Sequence, residues 1–386
     1  MSALTVAARF KAGELSLLEK LRLLNWPFVL VVALVALAGY GMLYSAAGGS
    51  PEPWAWRHSV RFGIGVPVML AIALVDVRFW FRWAYVIYGA ALLGLIAVEI
   101  SGHTSMGAQR WINLGLFQLQ PSEVMKIGLV LALARYFHGG YLEDVAQPAH
   151  LVLPLMLVLT PVALVLKQPD LGTSVMLLAG GGALLFLAGV RWWKFALVIG
   201  VVLAALPVLW QQLHDYQKQR VMTFLDPERD PLGAGYHIIQ SKIALGSGGL
   251  WGKGFLKGTQ SQLSFLPEKQ TDFVFTMLAE EAGLVGALGL LFLFLVLVGY
   301  GFVFALRARN QFGRLLAMGV TLTFFLYVAI NIAMVTGLIP VVGVPLPLIS
   351  YGGTAMVTVL VGFGLLLGVD VHRDVTIPRF PVDAHR

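Results

Sequence analysis

Cysteine is absent from the 386 residues, which excludes disulfides, thiolate metal sites and cysteine nucleophiles. Charge is scarce as well. Only 12% of residues are Asp, Glu, Lys or Arg, where a soluble domain carries about 25%. With 58% hydrophobic residues, such a chain has too little polar surface to cover itself in water, so it belongs in a membrane. The net charge of +7 is spread between apolar runs rather than gathered, which reads as membrane topology and not as nucleic-acid binding. A cleavable leader is not evident either. The first apolar run follows a charged stretch of about 24 residues and is long enough to span a bilayer. No repeat of fixed period and no soluble domain stand out.

What is present is a succession of ten apolar runs, near 26–44, 60–75, 81–98, 121–137, 151–166, 172–190, 193–210, 273–306, 315–337 and 353–369. The eighth is too long for one span, so its first turns are expected to be tilted or interfacial. The expected fold is therefore an all-α polytopic membrane protein of about ten helices. Residues 1–24 form a cytoplasmic tail with an amphipathic helix, 25–370 the membrane domain and 371–386 a second cytoplasmic tail. Lys and Arg decide the orientation. With the N-terminus inside, the tails and inner loops hold 15 of them, and the short outer loops hold only Arg57, Arg61, Arg110 and Lys167. The long outer loop, about 211–272 between helices 7 and 8, exceeds what a plain connector needs. Its Gly246–Gly254 stretch is rich in glycine; read alone, it is a flexible turn more often than a phosphate cradle.

Several polar groups sit where an apolar chain should have none, and all are expected on the outer side. Asp272 stands between a polar loop carrying Glu268 and Lys269 and an apolar run beginning Phe273-Val274-Phe275. At the first turn of a helix a carboxylate is favoured by unpaired N–H groups, so an N-cap is the ordinary explanation for it. Thr276 and then Glu280 follow at helical spacing on the same face. Glu123 and Lys126 are spaced i,i+3 behind Pro121, which is either a self-neutralising pair or part of a cavity wall. Asp170, in Gln168-Pro169-Asp170-Leu171-Gly172, is placed to cap the sixth run. The stretch 340–354 has three prolines and no charge; such irregular apolar backbone must be buried in protein or line a cavity. Their coincidence on one side favours a single polar cavity.

These residues resemble the SEDS family (shape, elongation, division and sporulation), over nearly the whole chain. The resemblance is carried by Gln109-Arg110-Trp111, by Gln120-Pro121-Ser122-Glu123 with Lys126, and by Gln168 to Gly172. It is carried further by Pro267 to Phe273, and by Pro347 with Ser350-Tyr351-Gly352-Gly353. Ala279-Glu280-Glu281 and the short tails are nearer the elongation proteins of that family than the division proteins. Gln270 stands where many relatives carry histidine, so a histidine at that place is not obligatory.

The resemblance implies a peptidoglycan glycosyltransferase that polymerises lipid II on the outer face of the cytoplasmic (inner) membrane, adding it to a growing glycan strand. Asp272 is then the general base. Arg110, Lys126, Lys269, Gln109 and Ser350 are candidates for binding substrate or its diphosphate. Glu123, Asp170, Glu268 and Glu280 are expected to be structural or cavity-lining carboxylates. A divalent cation, Mg or Mn, is expected at the diphosphate, with Asp272 and Glu268 as candidate ligands. The implied partners are a class B penicillin-binding protein, a transpeptidase, and other elongation-complex proteins. A lipid II flippase and a non-catalytic scaffold remain as rival readings, because intramembrane ion pairs and broken helices also occur in transporters.

Overall fold

The computed structural model describes residues 16–101, 103–105, 108–113, 118–139, 147–212, 218, 222, 226, 234–262 and 268–378. The first 15 residues of the expected tail, Pro267 and residues 379–386 lie outside these. A short helix α1 (Leu17–Leu23) opens on a capping box, in which Ser16 Oγ accepts from Glu19 N–H and Glu19 Oε2 accepts from Ser16 N–H. Long helices follow: α2 (Trp26–Ala46), α3 (Ala55–Leu74), α4 (Val77–Ser101), α5 (Pro121–Gly139), α6 (Pro148–Lys167), α7 (Leu171–Leu187) and α8 (Trp192–Gln212). After α9 (Ala234–Ser247) and the single turn α10 (Thr259–Gln262), the chain ends in α11 (Val274–Arg307), α12 (Gln311–Val335) and α13 (Gly353–Val371).

Seven of these helices (α2, α3, α4, α6, α11, α12 and α13) are long and apolar enough to cross a membrane, and α7 and the Trp192–Ala205 part of α8 are shorter apolar stretches. The chain is an all-α, multi-pass membrane protein. A small antiparallel sheet, which the apolar pattern did not announce, lies between α4 and α5. Its strands β1 (His103–Ser105), β2 (Ala108–Asn113) and β3 (Gln118–Leu119) run in the order β1-β2-β3. The long loop is not a plain connector either, since α9 packs on α11: Ser241 Oγ lies 2.9 Å from Thr276 Oγ1 and donates to Val335 O at 2.7 Å.

The charged helix α5 occupies the middle of the bundle, against α4, α6, α7, α12 and α13. That position explains how it tolerates Glu123 and Lys126 at membrane depth: both are buried in protein and neither meets lipid. At the opposite extreme, residues 196–204 of α8 are all exposed, with Leu197 at 61% and Val201 at 62%. Phe195, edge-on to Phe186 at 6.1 Å, ties the start of that helix to α7.

The overlong eighth run resolves into two helices. Gly283 has φ 68° and ψ −168°, so α11 breaks there. A break orphans backbone groups on both sides, and the glycine-rich 248–254 segment supplies their partners. Lys253 and Gly254 N–H groups donate to the carbonyls of Glu280 and Glu281 at 3.0 Å each. Leu284 and Val285 N–H groups donate to the carbonyls of Gly249 and Leu250 at 2.9 and 3.1 Å. A Cβ on Gly283 would stand 2.3 Å from Gly252 N, which only glycine avoids. The glycine-rich stretch is thus no flexible turn: it gives two N–H groups and two carbonyls to the broken helix.

Candidate active site

Residues 268–273 form a turn that delivers Asp272 just ahead of α11. Glu268 takes positive φ (52°), and its carboxylate accepts from Thr271 Oγ1 and Gln270 Nε2, both at 3.2 Å. Thr271 Oγ1 also donates to Glu268 O at 3.1 Å. Asp272 does not cap α11. The cap position is Phe273, no side chain caps it, and the Asp272 carboxylate has no hydrogen-bond or ionic partner among the described residues. Asp272 therefore stands outside the stripe that Thr276 and Glu280 share on α11, because it precedes the helix. Burial, and then the charge of Glu268, push the Asp272 carboxyl up to about 6. Burial also lowers the pKa of Lys269, half-buried beside Glu268.

The proline-rich segment 340–352 holds that turn in place. Ser350 Oγ donates to Thr271 O at 2.5 Å while accepting from Leu346 N–H at 2.8 Å. Tyr351 N–H donates to Gln270 O at 2.8 Å. From α12, Asn331 Nδ2 donates both to Asp272 O at 2.9 Å and to Val344 O at 2.7 Å. Leu346, Leu348 and Ile349 are buried, so this irregular stretch is packed into the bundle as its composition demands. Gly343 passes directly beside the catalytic candidate, since a Cβ there would sit 3.6 Å from Asp272 Oδ2.

The other singled-out groups divide sharply. Asp170 is the N-cap of α7, accepting from Thr173 N–H at 3.2 Å, from Thr173 Oγ1 at 3.0 Å and from Gln120 Nε2 at 3.3 Å. Arg110 Nε lies 3.9 Å from Asp170 and donates to Gln168 O at 3.2 Å, and its NH2 donates to Pro169 O. Arg110 is thereby committed to the 168–170 turn. That turn in turn meets the proline-rich segment, where a Cβ on Gly172 would fall 2.6 Å from Val342 O. Lys126 is sealed rather than presented. Its Nζ lies 2.6 Å from Glu123 Oε1 and donates to Tyr327 OH, and Tyr327 OH donates to Glu123 Oε2 at 2.5 Å. Glu280 accepts from Lys253 Nζ at 2.8 Å, from Gln260 N–H at 3.0 Å and from Thr259 Oγ1 at 3.1 Å, so it fastens the loop to α11. Gln109 lies in β2, and its side chain is outside the described residues.

Residues 21–375 match the family described as cell cycle protein, FtsW/RodA/SpoVE. The chain belongs to this family. Among curated relatives, peptidoglycan glycosyltransferase MrdB of Escherichia coli K12 is 46% identical over 350 residues, covering 90% of this chain and 94% of that one. The probable peptidoglycan glycosyltransferase FtsW of Trichlorobacter lovleyi is 36% identical over 362 residues, covering 90% and 94%. Among solved structures, a chain of a peptidoglycan synthase complex, solved for the coordination of polymerization and crosslinking, superposes with TM-score 0.79 at 37% identity. It covers 91% of this chain and 98% of that one. The rod shape determining protein RodA of Thermus thermophilus gives TM-score 0.68 at 32% identity, covering 91% and 97%.

Within this FtsW/RodA/SpoVE chain, three side chains at the site escaped the sequence reading. Asn331 and Tyr327 lie in an apolar helix with no motif around them. Their signal was weak, one amide and one of three hydroxyls among buried hydrophobics. Arg61 had a stronger one, as a cation on the side that the charge count left nearly empty of basic residues. Its guanidinium lies 4.7 Å over the Tyr351 ring, with NH2 3.4 Å from Tyr351 OH.

Proposed function

We propose that this protein is a peptidoglycan glycosyltransferase polymerising lipid II at the outer face of the cytoplasmic membrane, for elongation of the cell. Both termini are then cytoplasmic and ten helices span. The reading rests on one observation above the others: an unpartnered carboxylate, raised to about 6, fixed by three backbone anchors at the end of a helical bundle. The acceptor sugar hydroxyl attacks the anomeric carbon of the donor, and its proton passes to Asp272. The new C–O bond forms as the bond to the diphosphate oxygen breaks, and the electron pair leaves with undecaprenyl diphosphate. A single displacement of this kind inverts the anomeric centre, with base and leaving group on opposite faces.

At neutral pH a carboxyl of pKa about 6 is mostly ionised, as a base must be. The expected pH profile of kcat/KM therefore falls below pH 6, and an acid limb at pH 4 would assign the base to an unperturbed carboxylate instead. Polymerisation of lipid II by the purified full-length chain is the decisive measurement. A flippase would move the lipid without forming glycan, and a scaffold would do neither.

Glu268 and Asp272 would hold a divalent cation. They suit one that the substrate completes, since burial leaves Asp272 oxygens unpaired and no cluster of three or more His, Asp or Glu exists among the described residues. Such an ion would neutralise the departing diphosphate. Chelation is expected to stop polymerisation and Mg or Mn to restore it; full activity after rigorous chelation would leave basic side chains alone in that role. A class B penicillin-binding protein is the proposed partner, and activity measured with and without it gives its contribution.

A further inference from the structure

We propose that Arg61 supplies the cation that receives the diphosphate of the donor lipid, an inference that rests on the glycosyl transfer proposed above. Four basic residues stand in the short outer connections. Arg110 is consumed by the 168–170 turn, and Lys167 pairs with Glu99 at 3.5 Å. Arg57 is exposed one turn before Arg61. Arg61 is half-buried within the first two turns of α3 and pairs with no carboxylate among the described residues. A guanidinium so placed near membrane depth is costly unless an anion meets it.

Its surroundings hold it for that purpose. The guanidinium is stacked on Tyr351 and lies against Gly353, where a Cβ would come within 3.1 Å of three of its atoms. Gly353 opens α13, whose N-terminus has no side-chain cap, so the positive end of that helix lies beside the Arg61 guanidinium and adds to its pull on an anion. Tyr351 N–H, in turn, is bonded to Gln270 O, two residues before Asp272. The cation is thus tied to the base-bearing turn through one tyrosine. A planar, permanently charged fork suits a diphosphate better than an ammonium does.

The test uses the full-length protein in nanodiscs, with Arg61→Met, which keeps the stem and removes the charge, and Arg61→Lys. Two readouts are taken: KM and kcat for lipid II, and direct binding of farnesyl diphosphate against farnesol. Arg61→Met is expected to raise KM and the farnesyl diphosphate Kd about tenfold, with kcat within about twofold and farnesol binding unchanged. Arg61→Lys should recover part of both. An unaltered Kd and KM in Arg61→Met overturns the proposal, as does equal loss in Met and Lys, which would mark a packing role over Tyr351. Absence of polymer from the wild-type chain would remove the proposed function, and farnesyl diphosphate binding would still decide Arg61. Should Arg61→Met fail to fold, Arg61→Gln, which also removes the charge, takes its place in the same two readouts: raised Kd and KM with recovery in Arg61→Lys support the proposal, and unchanged values overturn it.

Discussion

Asp272→Asn is expected to lower lipid II polymerisation by about 10²-fold or more while leaving the protein at least as stable as before. The two effects have one cause. Burial disfavours the ionised carboxylate and Glu268 disfavours it further, so the folded-state pKa of about 6 lies above the unfolded value near 3.8. A carboxyl raised in this way contributes stability below its unfolded pKa, and that contribution is lost as pH rises through about 6. At neutral pH the ionised side chain therefore burdens the fold, and Asn, of the same shape, removes the burden along with the proton acceptor. The Asn variant should show a Tm at pH 7.5 no lower than wild type, and the difference should shrink by pH 5. Glu retains the chemistry but moves the carboxylate by about an ångström, enough to cost most of the rate. The expected order is Asp well above Glu, with Glu at or above Asn and Ala. Substantial polymer from the Asn variant would remove Asp272 as base and leave Glu268 as the next carboxylate to replace, because Asp170 is occupied as a helix cap.

How far the site was legible follows from what kind of interaction each residue makes. Helices were legible because an apolar run of spanning length has few alternatives, and Asp170 showed its capping role through position alone. Asp272 was conspicuous as a carboxylate beside an apolar run, yet its relation to the helix was not. The turn at Glu268 shifts the helix start to Val274, and that turn is set by long-range bonds from Ser350, Tyr351 and Asn331. Such contacts join residues about 60 to 80 positions apart and leave no periodic trace. The same holds for Gly283, where a loop from thirty residues upstream fills the break, and for Arg110 and Ser350, whose candidate roles as substrate ligands ignored nearer backbone carbonyls. Charge type was readable, and so was the local Glu123–Lys126 pair; partners distant in sequence were not.

Reversing one member of the Glu123–Lys126 pair is the second change of large expected effect, and here stability is lost rather than activity alone. Both side chains are almost inaccessible, at 3–5% exposure, in the helix that every neighbour surrounds. Water cannot reach a newly unpaired charge there, so Glu123→Lys or Lys126→Glu would set like charges together at low dielectric. A loss of about 3–5 kcal/mol is expected, enough to abolish folded protein in detergent. Exchanging both residues restores charge neutrality, but stability only in part. Tyr327 OH now donates to Glu123 Oε2 and receives Lys126 Nζ, and with the pair exchanged the hydroxyl must turn round to serve both. The double exchange should therefore fall between wild type and the single reversals, while Tyr327→Phe, which strands both ionic partners of one bond each, should cost about 1–3 kcal/mol. Yield and Tm of the solubilised proteins measure this directly. Single reversals as stable as wild type would show that solvent reaches the pair, and the buried triad would then have to be an open, water-filled cavity.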